Sequence, residues 1–134
     1  TKSQNFPFCS GGEDSNWNGA TDGFILKIDP VNFNVTSGTF VGTGEYDQVY
    51  FLQTDLNDNI YCLGQTTGSM SITPGLYGQP NSGQFIRKYN PTLSTLNCFF
   101  SKRLQPDLFQ RLGWTYQFIN VSRIDMPCVQ QHNK

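Results

Sequence analysis

A nine-residue phrase occurs twice in this chain. Asp22-Gly-Phe-Ile-Leu-Lys-Ile-Asp-Pro30 returns as Gly83-Gln-Phe-Ile-Arg-Lys-Tyr-Asn-Pro91. Phe24/Phe85, Ile25/Ile86, Lys27/Lys88 and Pro30/Pro91 are identical, and Asp29/Asn90 differ only by an amide. The offset from Phe24 to Phe85 is the same as that from Pro30 to Pro91. Self-similarity at one fixed period marks a repeat architecture, in which each unit leaves an apolar face or strand edge open until a neighbour covers it. A piece of such an array is expected to be marginal and aggregation-prone alone, and its function belongs to the assembly.

Within the phrase the period is two. Phe24, Leu26 and Ile28 fall on one face and Ile25 and Lys27 on the other, and Pro30 stops the run because it cannot donate to a ladder. Further strands are expected over 35–41, 49–54, 60–65 and 85–89, with Gly42-Thr-Gly44 and the five residues Asp55-Leu-Asn-Asp-Asn59 as turns. Four short strands per repeat is the content of one antiparallel β-propeller blade. Tandem β-sandwich modules would need about 100 residues per unit, well above the observed period.

The expected architecture is therefore all-β: a propeller fragment with about one full four-stranded antiparallel blade, part of a second, and an irregular C-terminal tail. Residues 1–21, rich in Gly and Asn, read as a linker or the end of a preceding blade, 22–67 as a blade, 68–82 as an inter-blade connection and 83–101 as the start of the next blade. Leu96-Asn-Cys-Phe-Phe100 matches the second strand in place and character. After Arg103 the pattern stops. Residues 102–134 form a divergent tail, with a short helix over Pro106–Leu112 and a strand over Gly113–Ile124 as its local signals. A divergent or terminal blade accounts for this tail, and so does a stretch out of the native reading frame.

Composition narrows the function classes. A net charge of −1 gives no electrostatic footprint for nucleic acid or anionic lipid, and no apolar run suits membrane insertion. Cys9, Cys62, Cys98 and Cys128 are widely spaced, and the one histidine, His132, lies in a polar tail, so no zinc spacing exists. Cys62 and Cys98 read as buried strand thiols, with a scaffold disulfide open to an extracellular chain.

Four phrases in order carry a resemblance: Asp22–Pro30, Gly38-Thr-Phe-Val-Gly-Thr-Gly44, Asp55–Gly64 and Thr73-Pro-Gly-Leu-Tyr77. Together, over roughly residues 20 to 101, they resemble the bacterial seven-bladed propeller repeat (SBBP) family. The resemblance implies a large exported or cell-surface protein of the kind made by gliding, Bacteroidetes-type bacteria, often with immunoglobulin-like modules and a sorting domain. It implies no shared catalytic motif. Residues 104–134 match nothing in the family.

The candidate sites each have a structural reading. Asp55-x-Asn57-x-Asn59 resembles the start of a calcium loop, but Ile60 and Thr66 stand where an EF-hand needs Gly and Glu, so a turn explains it. Glu13/Asp14 and Glu45/Asp47 read as solvated turn residues rather than glycosidase pairs, which require two carboxyls held across a cleft. A triad through His132 lacks a nucleophile elbow. Gly38–Gly44 lacks the helix that phosphate binding requires. Trp17, Tyr46, Tyr50, Tyr61 and Tyr77 read as blade packing, with carbohydrate stacking as the functional alternative. Arg87 replaces Leu26 at its repeat position, and its guanidinium is expected to reach solvent or a channel. The sequons at Asn34 and Asn120 mean little in a bacterial chain.

The reading that results names no catalytic, cofactor-binding or metal residue and no cofactor. It is a non-catalytic structural, adhesive or binding scaffold, extracellular or at the cell surface, whose partners are neighbouring blades and a glycan or surface protein. The alternative is a carbohydrate-active hydrolase or lyase built on a propeller.

Overall fold

The computed structural model describes residues 1–4, 11–74, 81 and 83–101, the side chains of 97–101 (Cys98 among them) excepted. The expected tail helix and strand, together with Cys9, Tyr77, Asn120, Cys128 and His132, lie outside the described residues. Six strands form: β1 (Gly23–Ile28), β2 (Val35–Val41), β3 (Asp47–Thr54), β4 (Ile60–Thr66), β5 (Gln84–Tyr89) and β6 (Leu96–Ser101). All pair antiparallel, and no helix occurs among the described residues.

Hydrogen bonding divides these strands differently from the expected units. β1 and β2 form a two-stranded sheet, whereas β3, β4, β5 and β6 form a four-stranded sheet in that order. The four-stranded sheet thus runs from Asp47 to Ser101 rather than over 22–67. It crosses the stretch 68–82 that the repeat phase suggests is a boundary between units. The real break falls at Gly42-Thr-Gly44, where the chain leaves one sheet for the other. A parallel bridge between Thr21 and Tyr46 ties the two sheets together there, with Asp47 N–H donating to the Thr21 carbonyl at 2.6 Å.

The sequence repeat is also a repeat of backbone register. In the first hairpin Phe24 faces Phe40, Lys27 faces Ser37 and Ile28 faces Val35, so Thr36 is an extra, bulged residue. In the second, Phe85 faces Ser101, Lys88 faces Cys98 and Tyr89 faces Leu96, leaving Asn97 as the extra residue. Every one of these positions is displaced by the offset that separates Phe24 from Phe85. The connecting turns have the same length and closing bond, Asp29 N–H donating to Asn34 O at 2.9 Å and Asn90 N–H to Thr95 O at 3.1 Å, but differ inside, where Phe33 N–H donates to Asp29 O and Leu93 N–H to Asn90 O. A bulge bends a strand and increases its twist, so its recurrence gives both hairpins one shape.

The two sheets stack face to face. Ile25 of β1 and Val41 of β2 meet Cys62, Phe85 and Tyr89 of the larger sheet, with Met70 and Leu93 completing the core. Polar contacts close the turn end: Lys27 Nζ donates to Pro91 O at 3.1 Å, Ser37 Oγ donates to Thr92 O, and Glu13 N–H donates to Leu93 O at 2.7 Å. Gly64 lets the sheets fill this space, because the Phe85 ring lies over it where a Cβ would stand.

Equivalent residues nevertheless meet unlike surroundings. Phe85 and Tyr89 are 1% and 0% exposed, while their counterparts Phe24 and Ile28 are 38% and 51% exposed. On β5 the face carrying Phe85, Arg87 and Tyr89 lies under the β1–β2 ribbon. On β1 the opposite face, with Ile25, joins the shared core, while Phe24 and Ile28 stay exposed and Phe40, opposite Phe24, is buried outside that cluster.

Candidate functional site

Among the described residues, three polar groupings on or between the sheets bear on function, and the third of them is exposed. The first lies at the seam between the sheets. Asp22 precedes β1 and Asp47 opens β3, and both are buried, at 0% and 1% exposure. This corrects the expectation that Asp47 is a solvated turn residue. Asp22 Oδ2 accepts the Asn18 N–H at 2.8 Å, and Asp47 Oδ2 accepts the Thr43 N–H at 2.6 Å and its hydroxyl at 2.9 Å. The Oδ1 atoms of both are buried without a hydrogen-bond partner. Burial, with Asp47 and Asp14 nearby, pushes the Asp22 carboxyl above its ordinary value, against the pull of the Asn18 N–H. Gly42 packs against this carboxylate so closely that a Cβ there would lie 2.7 Å from Oδ1. A glycosidase pair must reach both the leaving oxygen and a water. These two carboxylates are sealed from any sugar. Among the described residues no three His, Cys, Asp or Glu side chains gather as a metal site.

The second grouping is the β3–β4 turn. Asp55 Oδ1 accepts the backbone N–H groups of Asn57 and Asn59, both at 2.9 Å, and Oδ2 accepts Asn59 Nδ2 at 2.9 Å and the Tyr61 hydroxyl at 3.2 Å. Lys88 Nζ stands 3.6 Å from the same oxygen and 5.0 Å from the Tyr61 ring centroid. Burial alone would raise this carboxyl, but the hydrogen bonds from Asn59, Asn57 and Tyr61 outweigh it and hold Asp55 below its ordinary value. The lone pairs that would bind calcium are spent on the turn itself. Arg87 is engaged similarly: its side chain, 12% exposed, donates to the Tyr89 hydroxyl at 3.0 Å and lies 3.9 Å from Glu13 Oε2. Burial pushes the free Cys62 thiol up to about 12, so it acts as a core apolar group.

The third grouping is exposed. Tyr46 and Tyr50 are 40% and 41% exposed, and Gln48 between them is exposed as well. The Tyr46 hydroxyl donates to Gln48 Oε1 at 3.0 Å, and Gln65 Nε2 of β4 donates to the same oxygen at 3.3 Å. Partial burial and the neighbouring Tyr46 push the Tyr50 hydroxyl above its ordinary value. The result is a platform in which Tyr46, Gln48 and Gln65 are joined by hydrogen bonds, with Tyr50, the bulged residue of β3, near Tyr46. Aromatic faces stack on apolar ring surfaces, and carboxamides offer both donors and acceptors to hydroxyl groups.

Of the aromatics singled out by sequence, the platform brings together Tyr46 and Tyr50. Trp17 and Tyr61 are half-buried elsewhere. Gln48 and Gln65 escaped sequence reasoning: they face each other only because β3 pairs with β4, and the bulge at Tyr50 breaks the alternation along β3. A separate hollow of about 220 Å³, lined by Gly11, Lys27, Thr36, Ser37 and Thr92, is smaller than ordinary small-molecule sites. No family model matches this chain, and no match was found among curated proteins or solved structures.

Proposed function

We propose that the chain is a stretch of a β-propeller-type repeat scaffold, of the SBBP kind, in an exported or cell-surface bacterial protein. Its role is non-catalytic: to hold neighbouring blades in a rigid array and to present a face that binds glycan or a surface protein. The observation that carries this reading is the coincidence of register and burial. The two hairpins share their cross-strand pairs from Phe24/Phe85 to Ile28/Tyr89 and the bulge beside them, yet Phe85 and Tyr89 are core where Phe24 and Ile28 are exposed, with Phe40 buried beside Phe24. Units that stack front to back have that property, and a self-contained two-sheet sandwich would not require it. The exposed Tyr46, Gln48 and Tyr50, with the half-buried Gln65, supply the chemistry for glycan contact.

A glycan array probed with the repeat polypeptide, alongside a general glycosidase assay, tests the role. Binding without turnover, weakened by Tyr46→Ala or Tyr50→Ala, is the expected result. Turnover lost on removal of a single carboxylate would replace this reading with the hydrolase one. Electron microscopy of a polypeptide carrying further repeats tests the architecture, and an open, irregular chain would contradict a propeller.

A further inference from the structure

The second hairpin shows what the first one lacks. β5 is paired on both sides, with β6 on one and β4 on the other. The β4–β5 register sets Ile60 opposite Tyr89, Cys62 opposite Arg87 and Gly64 opposite Phe85. It closes where Thr66 N–H donates to Gly83 O at 3.0 Å. Among the described strands, β1 is paired with β2 alone.

On the other side of β1, at its very start, Asp22 N–H donates to Thr1 O at 2.9 Å and Thr1 N donates back to Asp22 O. Asp22 is the repeat counterpart of Gly83, the first residue of each phrase. Thr1 therefore stands on the first hairpin where Thr66 stands on the second, and the residue type is the same. Antiparallel pairing alternates the side to which backbone groups point. The N–H and C=O of Leu26 and Ile28 thus face the same open edge that Asp22 presents to Thr1. Ile28 is 51% exposed and Leu26 half-buried.

We infer that the open edge of β1 is a docking site for a two-stranded β-hairpin of the β3–β4 type, contributed by a further repeat unit. Its inner strand runs antiparallel to β1, placing the counterpart of Cys62 opposite Leu26 and the counterpart of Ile60 opposite Ile28. This rests on the repeat-scaffold reading above. The occupant is a further unit rather than a second copy of these residues, because β4 here already has both edges engaged, by β3 and β5. Strand addition of this kind draws affinity from the backbone ladder and specificity from the alternate side chains.

The probe is a synthetic peptide of residues 47–66, whose own Cys62 reports register. It is mixed with the full chain carrying Leu26→Cys in a glutathione redox buffer, where the oxidised glutathione is the oxidant. Cross-links are located by peptide mapping. A disulfide between position 26 and the peptide's Cys62 is expected, at least about tenfold more abundant than with Lys27→Cys, since a one-residue slip points the side chain to the other face. Equal capture at 26 and 27, equal capture of a scrambled peptide, no capture, or dimerisation of the chain through the β3 edge would each overturn the proposal.

A second measurement avoids reliance on the cysteine variant. The unmodified chain should bind the same peptide carrying Cys62→Ser, and Leu26→Pro should abolish binding by removing an N–H from the free edge while sparing the β1–β2 ladder. Retained binding in that variant also overturns the inference. Peptide capture by a chain that never assembles into a ring would sink the propeller and leave this site standing. An intact ring in which the β1 edge is left unpaired, or is paired by some other segment, would do the reverse.

Discussion

The hairpins β1–β2 and β5–β6 are the same object in two settings. Their strands share a register, a bulge and a turn length, yet Phe85 is 1% exposed where Phe24 is 38% exposed. A side chain's burial here is a property of what stacks on the sheet. It is not a property of the phrase that makes the strand. Substitutions at matched positions should therefore separate the two, and the size of the separation measures how much of the stability is stacking.

The largest contrast is Phe85→Ala against Phe24→Ala. Truncating a fully buried phenylalanine costs about 3–5 kcal/mol, while a partly exposed one costs no more than about 1 kcal/mol. Urea titration of both variants checks this, and equal losses would mean that the second hairpin is not covered as described. Next is Gly64→Ala. The Phe85 ring and the Gln48 carbonyl already occupy the space of the added methyl, and overpacking of this kind costs about 1–3 kcal/mol. If the variant matches the wild type in denaturation midpoint, the ring does not rest on Gly64.

The smallest effect separates the two hairpins at their starts, where Asp22 is matched by Gly83. Burial, then Asp47 and Asp14, raise the folded-state value of Asp22 above 3.8. Its contribution is fully present below the unfolded value and is lost as pH rises through the folded one. Asp22→Asn removes that loss and keeps an acceptor for Asn18. The variant should gain stability over wild type between about pH 4 and 7, in denaturation midpoints taken across that range. Asp55 runs the other way in both proteins, its value lowered from 3.8, so its contribution falls away only as the pH drops below that value. An unchanged wild-type-minus-variant difference across the range would remove the strain assigned to Asp22.

Much of the fold was legible residue by residue. Phe24, Leu26 and Ile28 alternate with Ile25 and Lys27, and a strand follows. Pro30 and Pro91 end their strands. Asp55, Asn57 and Asn59 make a closed turn because short polar side chains bond the backbone two and four residues on. The exposed platform proposed for glycan was half legible: Tyr46 and Tyr50 were visible as aromatics, but Gln65 reaches Gln48 only after β4 pairs with β3. Arg87 illustrates the converse, since a long cation at the place of Leu26 reads as solvent-directed until Glu13 and Tyr89 close around it.

Taken alone, the amino-acid order determined the strands, the turns and the recurrence of the phrase, because alternation, proline and side-chain-to-backbone hydrogen bonds act over a few residues. The tertiary structure alone decided that β3 and β4 join β5 rather than β2, that Asp22 and Asp47 are sealed, and that Phe85 is core while Phe24 is surface. Pairing and stacking depend on partners distant in the chain, and the alternation that two phrases share says nothing about such partners.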